Sequence, residues 1–209
     1  MTDHYFSSRP DSAEAEREIE ARLRGRFFRF RVDTGVFSKK GVDFGTRLLI
    51  ETAKLPKQGE ILDLGCGYGP VGIACAVSSP NSRVTMVDVN LRALELAQKN
   101  ARLNGVESQV EIRESDGLTN LNHSAFDAIL TNPPIRAGKN TVYRLFEEAA
   151  KGLKPDGQLW VVIRKQQGAP SAKEKLEKIF SHVELLVKKK GFWILRSKNK
   201  IDIDTGKMV

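Results

Sequence analysis

Residues 129–139, ILTNPPIRAGK, place an asparagine and two prolines directly after a short apolar run. Because proline fixes φ and lacks a backbone donor, Pro133 and Pro134 are expected to end a strand in a stiff turn. The side-chain oxygen of Asn132 and the carbonyl oxygen of Pro133 are then two positioned hydrogen-bond acceptors. They can accept from the two N–H groups of an amine and leave its lone pair free to attack an electrophile. A simple turn that ends a buried strand is the alternative, because Asn-Pro is a common turn pair.

A second candidate site is the glycine-rich stretch DLGCGYG (63–69), which follows one predicted strand and precedes a predicted helix. Its spacing G-x-G-x-G permits a sharp turn and lets a ligand approach the backbone closely. The dinucleotide fingerprint G-x-G-x-x-G would need its third glycine at Pro70, so this is a different motif. Asp63 would repel a pyrophosphate but attract a ligand that carries an ammonium or sulfonium group. An ordinary tight turn between strand and helix is the alternative.

Two further carboxylates end the next two predicted strands. Asp88 lies about 20 residues beyond the glycines, where an acidic side chain commonly accepts the hydroxyl groups of a ribose. It could instead cap the helix that begins near Asn90. Asp116 could accept from an adenine amino group, or could be a turn residue. Because parallel strands end at one edge of a sheet, caps alone poorly explain three acids in succession.

Together these motifs resemble those of the class I S-adenosylmethionine-dependent methyltransferases. The resemblance implies that S-adenosyl-L-methionine is the cofactor, with residues 63–69 at its amino-acid end, Asp88 on its ribose and Asp116 on its adenine. It also implies a Rossmann-like α/β fold, with a seven-stranded, mostly parallel sheet, an antiparallel last strand and helices on both faces. The candidate cofactor residues in these motifs are Asp63, Gly65, Cys66, Gly67, Gly69, Asp88, Asp116 and Gly117.

The string NPPIRAGK, with GVFSKKGVDFGTRLL upstream, is similar to the catalytic half of the ribosomal RNA small-subunit methyltransferase C-like family. The similarity implies transfer to N2 of a guanine, with ribosomal RNA or a ribosomal particle as partner. In that family the upstream segment closes over the cofactor, which adds the candidates Phe37, Ser38, Asp43 and Gly45. The implied catalytic residues are Asn132, Pro133, Pro134 and Ile135. Ile135 departs from the pattern, because related amino-group methyltransferases have an aromatic residue there.

Other functions are compatible with part of this pattern. Methyltransferases that modify a glutamine amide in a protein also have an NPP turn, usually followed by an aromatic residue. A cofactor-binding RNA assembly factor without catalysis would have no need to keep Asn132, Pro133 and Pro134. A hydride-transfer enzyme with a nicotinamide cofactor is disfavoured by the absence of its fingerprint.

The formal charge of +8 comes from 34 Lys and Arg against 26 Asp and Glu. This charge favours an acidic partner such as RNA. The alternative is a soluble basic protein that has no acidic partner. Arg136 and Lys139, beside the NPP turn, are candidate phosphate contacts, as are the arginines within residues 22–31. For each of these residues, the alternative is a solvated basic surface without a partner. Residues 188–190 form a second basic cluster of three lysines.

No run of residues approaches the roughly 18 apolar residues of a membrane span, and no apolar signal segment opens the chain. A cytoplasmic protein that does not enter a membrane is therefore predicted. The two cysteines, Cys66 and Cys75, predict neither a disulfide framework nor a metal site.

The elements that must position these motifs follow from hydrophobic periodicity. Period-two alternation on both sides of a Gly-containing turn predicts an N-terminal β-hairpin over 16–33, with its arginines opposite its apolar residues. A flexible polar tail is predicted over residues 1–12. Strands then alternate with helices, which predicts a mostly parallel sheet and a cofactor-binding catalytic core over 35–209. A single methyltransferase domain over 1–209 accounts for the whole sequence.

Overall fold

A computed structural model of the chain describes residues 16–33, 41–121 and 126–198. Its strands form a two-stranded hairpin and a seven-stranded sheet. The hairpin consists of β1 (Arg17–Leu23) and β2 (Arg26–Val32). The large sheet consists of β3 (Gln58–Leu64), β4 (Asn81–Asp88), β5 (Val110–Glu114), β6 (Phe126–Thr131), β7 (Leu153–Arg164), β8 (His182–Lys189) and β9 (Phe192–Lys198). The helices are α1 (Phe44–Thr52), α2 (Pro70–Ser78), α3 (Leu91–Leu103), α4 (Lys139–Gly152) and α5 (Ala169–Glu177).

The seven strands lie in the order β5-β4-β3-β6-β7-β9-β8. Neighbouring strands from β5 to β7 are parallel, and β9 inserts antiparallel between β7 and β8. The predicted Rossmann-like sheet with an antiparallel last strand is therefore confirmed. Chain order reverses between β3 and β6, and open α/β sheets bind ligands at such a switch point.

Helices cover both faces of the sheet, as predicted. One core packs the hairpin, α1, α2 and α3 against the sheet and buries Phe30, Ile50 and Trp160 almost completely. The opposite core packs α4 and α5, burying Phe146 and Leu176. Because both faces are covered, the central strands are continuous apolar runs rather than alternating ones.

The N-terminal hairpin forms over the predicted residues, with its apolar side chains buried and most of its arginines exposed. Helix α3 closes its outer edge, because Asn100 and Asn104 each donate to and accept from the backbone of β2. These bonds join Asn100 to Arg31 and Asn104 to Arg29 at 2.6–3.2 Å. Asn100 also donates to the Tyr68 carbonyl oxygen at 2.8 Å. The hairpin is thereby fixed next to the glycine-rich loop.

Some predictions fall on residues outside the described ranges, namely the tail over 1–12 and the cofactor candidates Phe37 and Ser38. Within the ranges that are described, no helix is long and apolar enough to cross a membrane. Nor do three histidine, cysteine or acidic side chains group there as metal ligands. The division of the chain into a single domain stays a prediction.

Candidate active site

A cavity of about 460 Å³ opens at the carboxyl ends of the central parallel strands. One half of its wall, the carboxylate half, consists of the glycine-rich loop after β3, the end of β4 and residues 115–117 after β5. The other half, the amide half, consists of the NPP turn after β6 and the start of α1. The volume lies within the range of pockets that bind small molecules.

The glycine-rich loop is fixed to β4 through its own backbone. The N–H groups of Gly65 and Cys66 donate to the Val87 carbonyl oxygen at 2.9 and 2.8 Å, and that of Gly67 donates to Asp88 Oδ2 at 2.8 Å. Gly65 has a φ of 76°, and a Cβ atom there would meet no atom within 4 Å. A side chain at Gly65 would therefore occupy space that the cavity offers to a ligand. The loop presents bare backbone, which permits close approach.

Asp63 and Asp88 are nearly buried, with exposed fractions of 2% and 7%. Burial raises the pKa of Asp63 to about 7; the N–H bond from Gly72 opposes this rise and the nearby Asp88 adds to it. Burial also raises the pKa of Asp88, against the backbone N–H bonds from Asn90 and Gly67. A cationic ligand would stabilise the ionised form of both acids, whereas an anion would oppose it. The carboxylate half therefore fits S-adenosylmethionine, which carries an ammonium and a sulfonium group.

The interpretation of Asp88 as a helix cap is wrong. Asn90 caps α3, because its Oδ1 atom accepts from the Ala93 N–H at 3.2 Å. Asp88 accepts instead from the N–H groups of Asn90, through Oδ1 at 2.9 Å, and of Gly67, through Oδ2. Asp88 thus joins the loops that follow β3 and β4. Each of its oxygens has a further lone pair that can accept from a ligand hydroxyl.

Asp116 lines the rim of the cavity in a different way. Its side chain is 63% exposed, and Oδ1 accepts from Arg144 Nη2 at 2.6 Å. Arg144, on α4, also donates to Glu148, which in turn accepts from the backbone N–H of Leu118. The candidate adenine-binding acid is thus held by α4, with its second oxygen facing no partner among the described residues.

The NPP turn is as stiff as its prolines predict. Thr131 Oγ1 donates to the Leu64 carbonyl oxygen at 2.8 Å, which joins the end of β6 to β3. Pro134 has φ −75° and ψ 79° and is the centre of an inverse γ-turn, in which the N–H of Ile135 donates to the Pro133 carbonyl oxygen at 2.9 Å. The Pro133 carbonyl is therefore fixed in direction and has one lone pair left for a substrate.

The Asn132 amide is oriented by α1. Its Nδ2 atom donates to Thr46 Oγ1 at 3.0 Å, and Thr46 lies in the first turn of α1, where its N–H donates to the capping Asp43 carboxylate at 3.0 Å. Since the nitrogen is held by Thr46, the amide oxygen is left as an acceptor at the cavity, with no partner in the part of the chain that is described. The structure thus brings two acceptors, one side-chain and one backbone, to the amide half.

Most of the predicted site residues line this cavity. They are Asp43, Asp63, Gly65, Cys66, Gly67, Asp88, Asp116, Gly117, Asn132, Pro133, Pro134, Ile135 and Arg136. The lining does not include Gly45, Gly69 or Lys139. A Cβ on Gly45 would lie 2.7 Å from Phe192 and one on Gly69 would lie 2.7 Å from Met86, so both glycines serve internal packing. The Lys139 ammonium lies 5.2 Å from the centre of a tyrosine ring of α4.

Several lining residues were missed by the sequence motifs. They are Thr46, Tyr68, Pro70, Val71, Val89, Ser115, Ala137, Thr141, Arg144, Leu145 and Gln167. Thr46 lies within the quoted string GVFSKKGVDFGTRLL, directly after the candidate Gly45, so its hydroxyl was a findable signal. Arg144 and Gln167 lie in ordinary helical and loop sequence and carried no signal of their own.

The chain matches a methyltransferase family model and a bacterial protein of nearly the same length. The family model for the methyltransferase small domain matches residues 28–196. The uncharacterised protein YbxB of Bacillus subtilis is 48% identical over 200 residues, which cover 95% of this chain and 99% of YbxB.

Two sets of ribosomal RNA methyltransferases are also similar. Ribosomal RNA small subunit methyltransferase C of Haemophilus influenzae is 36% identical over 169 residues, covering 79% of this chain and 49% of that protein. Ribosomal RNA large subunit methyltransferase G of Streptomyces coelicolor is 32% identical over 170 residues, covering 78% and 44%. The chain spans about half the length of these enzymes.

Among solved structures, the T. thermophilus 16S rRNA N2 G1207 methyltransferase (RsmC), in complex with AdoMet and guanosine, superposes with a TM-score of 0.77. It is 28% identical, and the match covers 88% of this chain and 50% of that one.

Proposed function

Because the chain belongs to the methyltransferase small domain family, with S-adenosyl-L-methionine as cofactor, we propose that it methylates an exocyclic amine, N2 of a guanine in ribosomal RNA. The observation that carries the proposal is the bond from Asn132 Nδ2 to Thr46 Oγ1, which leaves the amide oxygen as an acceptor in the cavity that Pro133 also lines. Two acceptors on one stiff turn match the two N–H groups of a primary exocyclic amine.

The residues that would hold the cofactor belong to the carboxylate half. Asp63 and the glycine-rich loop would bind its amino-acid end, Asp88 its ribose hydroxyls, and Asp116 its adenine. When bound, S-adenosylmethionine supplies an electrophilic methyl group on a sulfonium whose thioether is a good leaving group.

The chemical work of the amide half is positioning and electrostatic stabilisation. Asn132 and Pro133 would accept the two amine N–H groups and hold the nitrogen lone pair out of conjugation with the ring. As the nitrogen gains positive charge, its N–H groups become stronger donors, so both hydrogen bonds strengthen in the transition state. A residue that binds the transition state more tightly than the ground state raises the rate of transfer. A strong base is not required before transfer.

The substrate class is inferred from three observations. Two relatives are named as ribosomal RNA methyltransferases, and the RsmC structure was solved with guanosine and acts on a guanine N2. The formal charge of +8 suits a polyanionic partner. Ile135 lines the cavity next to the two acceptors and offers an apolar surface to a base.

The test is methyl transfer in vitro. Ribosomal particles and free ribosomal RNA from cells that lack the gene would be incubated with the purified protein and isotope-labelled S-adenosylmethionine, then digested and analysed by mass spectrometry. We expect label in N2-methylguanosine. Label in a different nucleoside, or in a glutamine side chain of a ribosomal protein, would replace this proposal with another methyl acceptor.

A further inference from the structure

A group of exposed cations lies on the same edge of the sheet as the cavity. It consists of Arg164, the last residue of β7, of Lys165, which follows it, and of Lys188, Lys189 and Lys190, at the end of β8 and in the turn to β9. We call these five residues the basic tip.

The strand order places the basic tip close to the NPP turn. β7 neighbours β6, followed by β9 and then β8, and residue Arg164 pairs with Phe192, which in turn pairs with Lys189. With strands about 4.8 Å apart, the end of β8 lies about 14 Å from the end of β6 across the strands. Because Thr131 pairs with Val161, three residues before Arg164, it also lies about 10 Å further along them. The backbone N–H of Lys165 donates to the Gly191 carbonyl oxygen at 2.7 Å, which joins the two parts of the tip.

Aromatic rings hold several of these cations in place. The Lys190 ammonium lies 5.0 Å from the centre of the Phe44 ring, and the Lys188 ammonium lies 4.7 Å from that of Trp193. The Arg164 guanidinium lies 5.5 Å from the centre of the Phe192 ring. Such cation–π contacts restrict long side chains without neutralising them.

The same rings connect the tip with the site. Phe44 and Phe192 have centres 5.7 Å apart. Phe44 begins α1, the helix whose first turn contributes Asp43 and Thr46 to the cavity wall. The basic tip is therefore continuous with the amide half.

Within the described ranges, no ion pair compensates the charge of the basic tip. None of its five cations has a carboxylate of the described ranges within 4.0 Å, whereas many basic residues elsewhere are paired. Two arginines of the N-terminal hairpin, which the sequence analysis gave as candidate phosphate contacts, are examples: Arg29 pairs with Glu18 at 3.6 Å and Arg31 with Glu16 at 3.9 Å. The field of the hairpin is thus partly cancelled locally, while that of the tip extends into solvent.

We propose that the basic tip binds the sugar-phosphate backbone of the RNA substrate beside the target base. The inference rests on the proposed function, since it assumes an RNA substrate, and it adds where that RNA lies. Phosphate contacts of this kind give affinity and orientation without reading sequence. They leave the choice of base to the cavity.

The test compares two double variants that each remove two positive charges from exposed positions. Lys188→Gln/Lys190→Asn changes the two ring-held lysines of the tip; asparagine suits position 190, where φ is 48°. Arg29→Gln/Arg31→Gln is the matched control on the hairpin. Binding of a fluorescently labelled single-stranded RNA of mixed sequence would be measured by anisotropy over a range of salt concentrations, with cofactor affinity as a check on folding.

We expect the tip variant to bind RNA about tenfold more weakly than wild type at physiological salt, with the slope of log K against log salt reduced in magnitude by about 1.4. The hairpin variant should stay within about twofold, because its arginines are already paired. Equal losses in both variants, or an unchanged tip variant beside RNA-binding wild type, would overturn the inference and leave the proposed function standing. Failure of the wild-type protein to bind this RNA would also overturn the inference, whereas the proposed function is tested separately by methyl transfer to ribosomal particles.

Discussion

The two halves of the cavity hold their polar groups in different ways. In the carboxylate half, Asp63 and Asp88 are buried and accept from backbone N–H groups of the first turn of α2 and of the surrounding loops. In the amide half, one side-chain hydroxyl, that of Thr46, orients the amide of Asn132. The first arrangement builds a fixed, negatively charged cradle for a cation, and the second aims a neutral acceptor. Substitutions in the first half should therefore change cofactor affinity, and substitutions in the second should change the rate of transfer.

The largest effect is expected from Asn132→Ala. Loss of one of two acceptors that strengthen in the transition state should lower the single-turnover rate of methyl transfer by about 100- to 1000-fold. Calorimetric titration should give a cofactor dissociation constant close to that of wild type. Transfer at the wild-type rate would show that Asn132 does not position the amine. A parallel loss of cofactor binding would show that the two halves of the cavity do not have separate roles.

Asp88→Ala should mainly weaken cofactor binding, in contrast to Asn132→Ala, which should mainly lower the transfer rate. It removes the acceptor of two backbone N–H groups, which is also the acceptor proposed for the ribose hydroxyls, so the cofactor dissociation constant should rise about 10- to 100-fold. Asp116→Ala is the matched control, because this acid is exposed and paired with Arg144, and its effect should be several-fold smaller. If cofactor affinity is unchanged in Asp88→Ala, Asp88 only joins the loops and does not bind ribose.

The ionisation of the Asp63 carboxyl should make cofactor affinity depend on pH. Since burial raises its pKa to about 7, the carboxyl is ionised above this pH and protonated below it. Its attraction for a cationic cofactor is therefore present above about pH 7 and lost as the pH falls through it. We expect cofactor affinity to fall about tenfold from about pH 8 to about pH 6. Asp63→Asn should bind more weakly and lose most of this dependence; the same slope in both proteins would assign it to another group.

The smallest effect is expected from Thr46→Val. Valine keeps the shape of threonine but removes the hydroxyl that accepts from Asn132 Nδ2, so the amide is free to turn its oxygen away from the cavity. The transfer rate should fall about 5- to 10-fold, the worth of one net hydrogen bond, with little change in cofactor affinity. Thr46→Ser restores an acceptor and should recover most of the rate. A serine variant as slow as the valine variant would show that packing, rather than orientation, is the role of Thr46.

The features that the sequence predicted are those encoded by nearby residues. The glycine-rich loop, the acids at the ends of β3 and β4, and the NPP turn each consist of a strand end and the turn that follows it. Alternation of strands with helices was sufficient for the sheet and its covered faces. In each case the physical cause lies within about ten residues of the motif, which is the range over which hydrophobic periodicity is read.

What the sequence did not reveal are contacts between distant residues. Thr46 and Asn132 are 86 positions apart, and Asp116 and Arg144 are 28 apart. Glycine spacing alone also does not distinguish approach of a ligand from approach of a side chain: Gly65 faces open space, whereas Gly69 lies against Met86. Whether a glycine makes room for a ligand or for a side chain is set by the tertiary packing of the sheet and helices around it.

The central claim is that the two acceptors of the NPP turn direct a methyl group to N2 of a guanine in RNA. Its most direct test is mass spectrometry of nuclease fragments of ribosomal RNA from cells that carry the intact gene, a deletion, or the Asn132→Ala allele. We predict that N2-methylguanosine at one ribosomal RNA position is present with the intact gene and lost in both other strains. An identical set of methylated nucleosides in all three strains would contradict the claim.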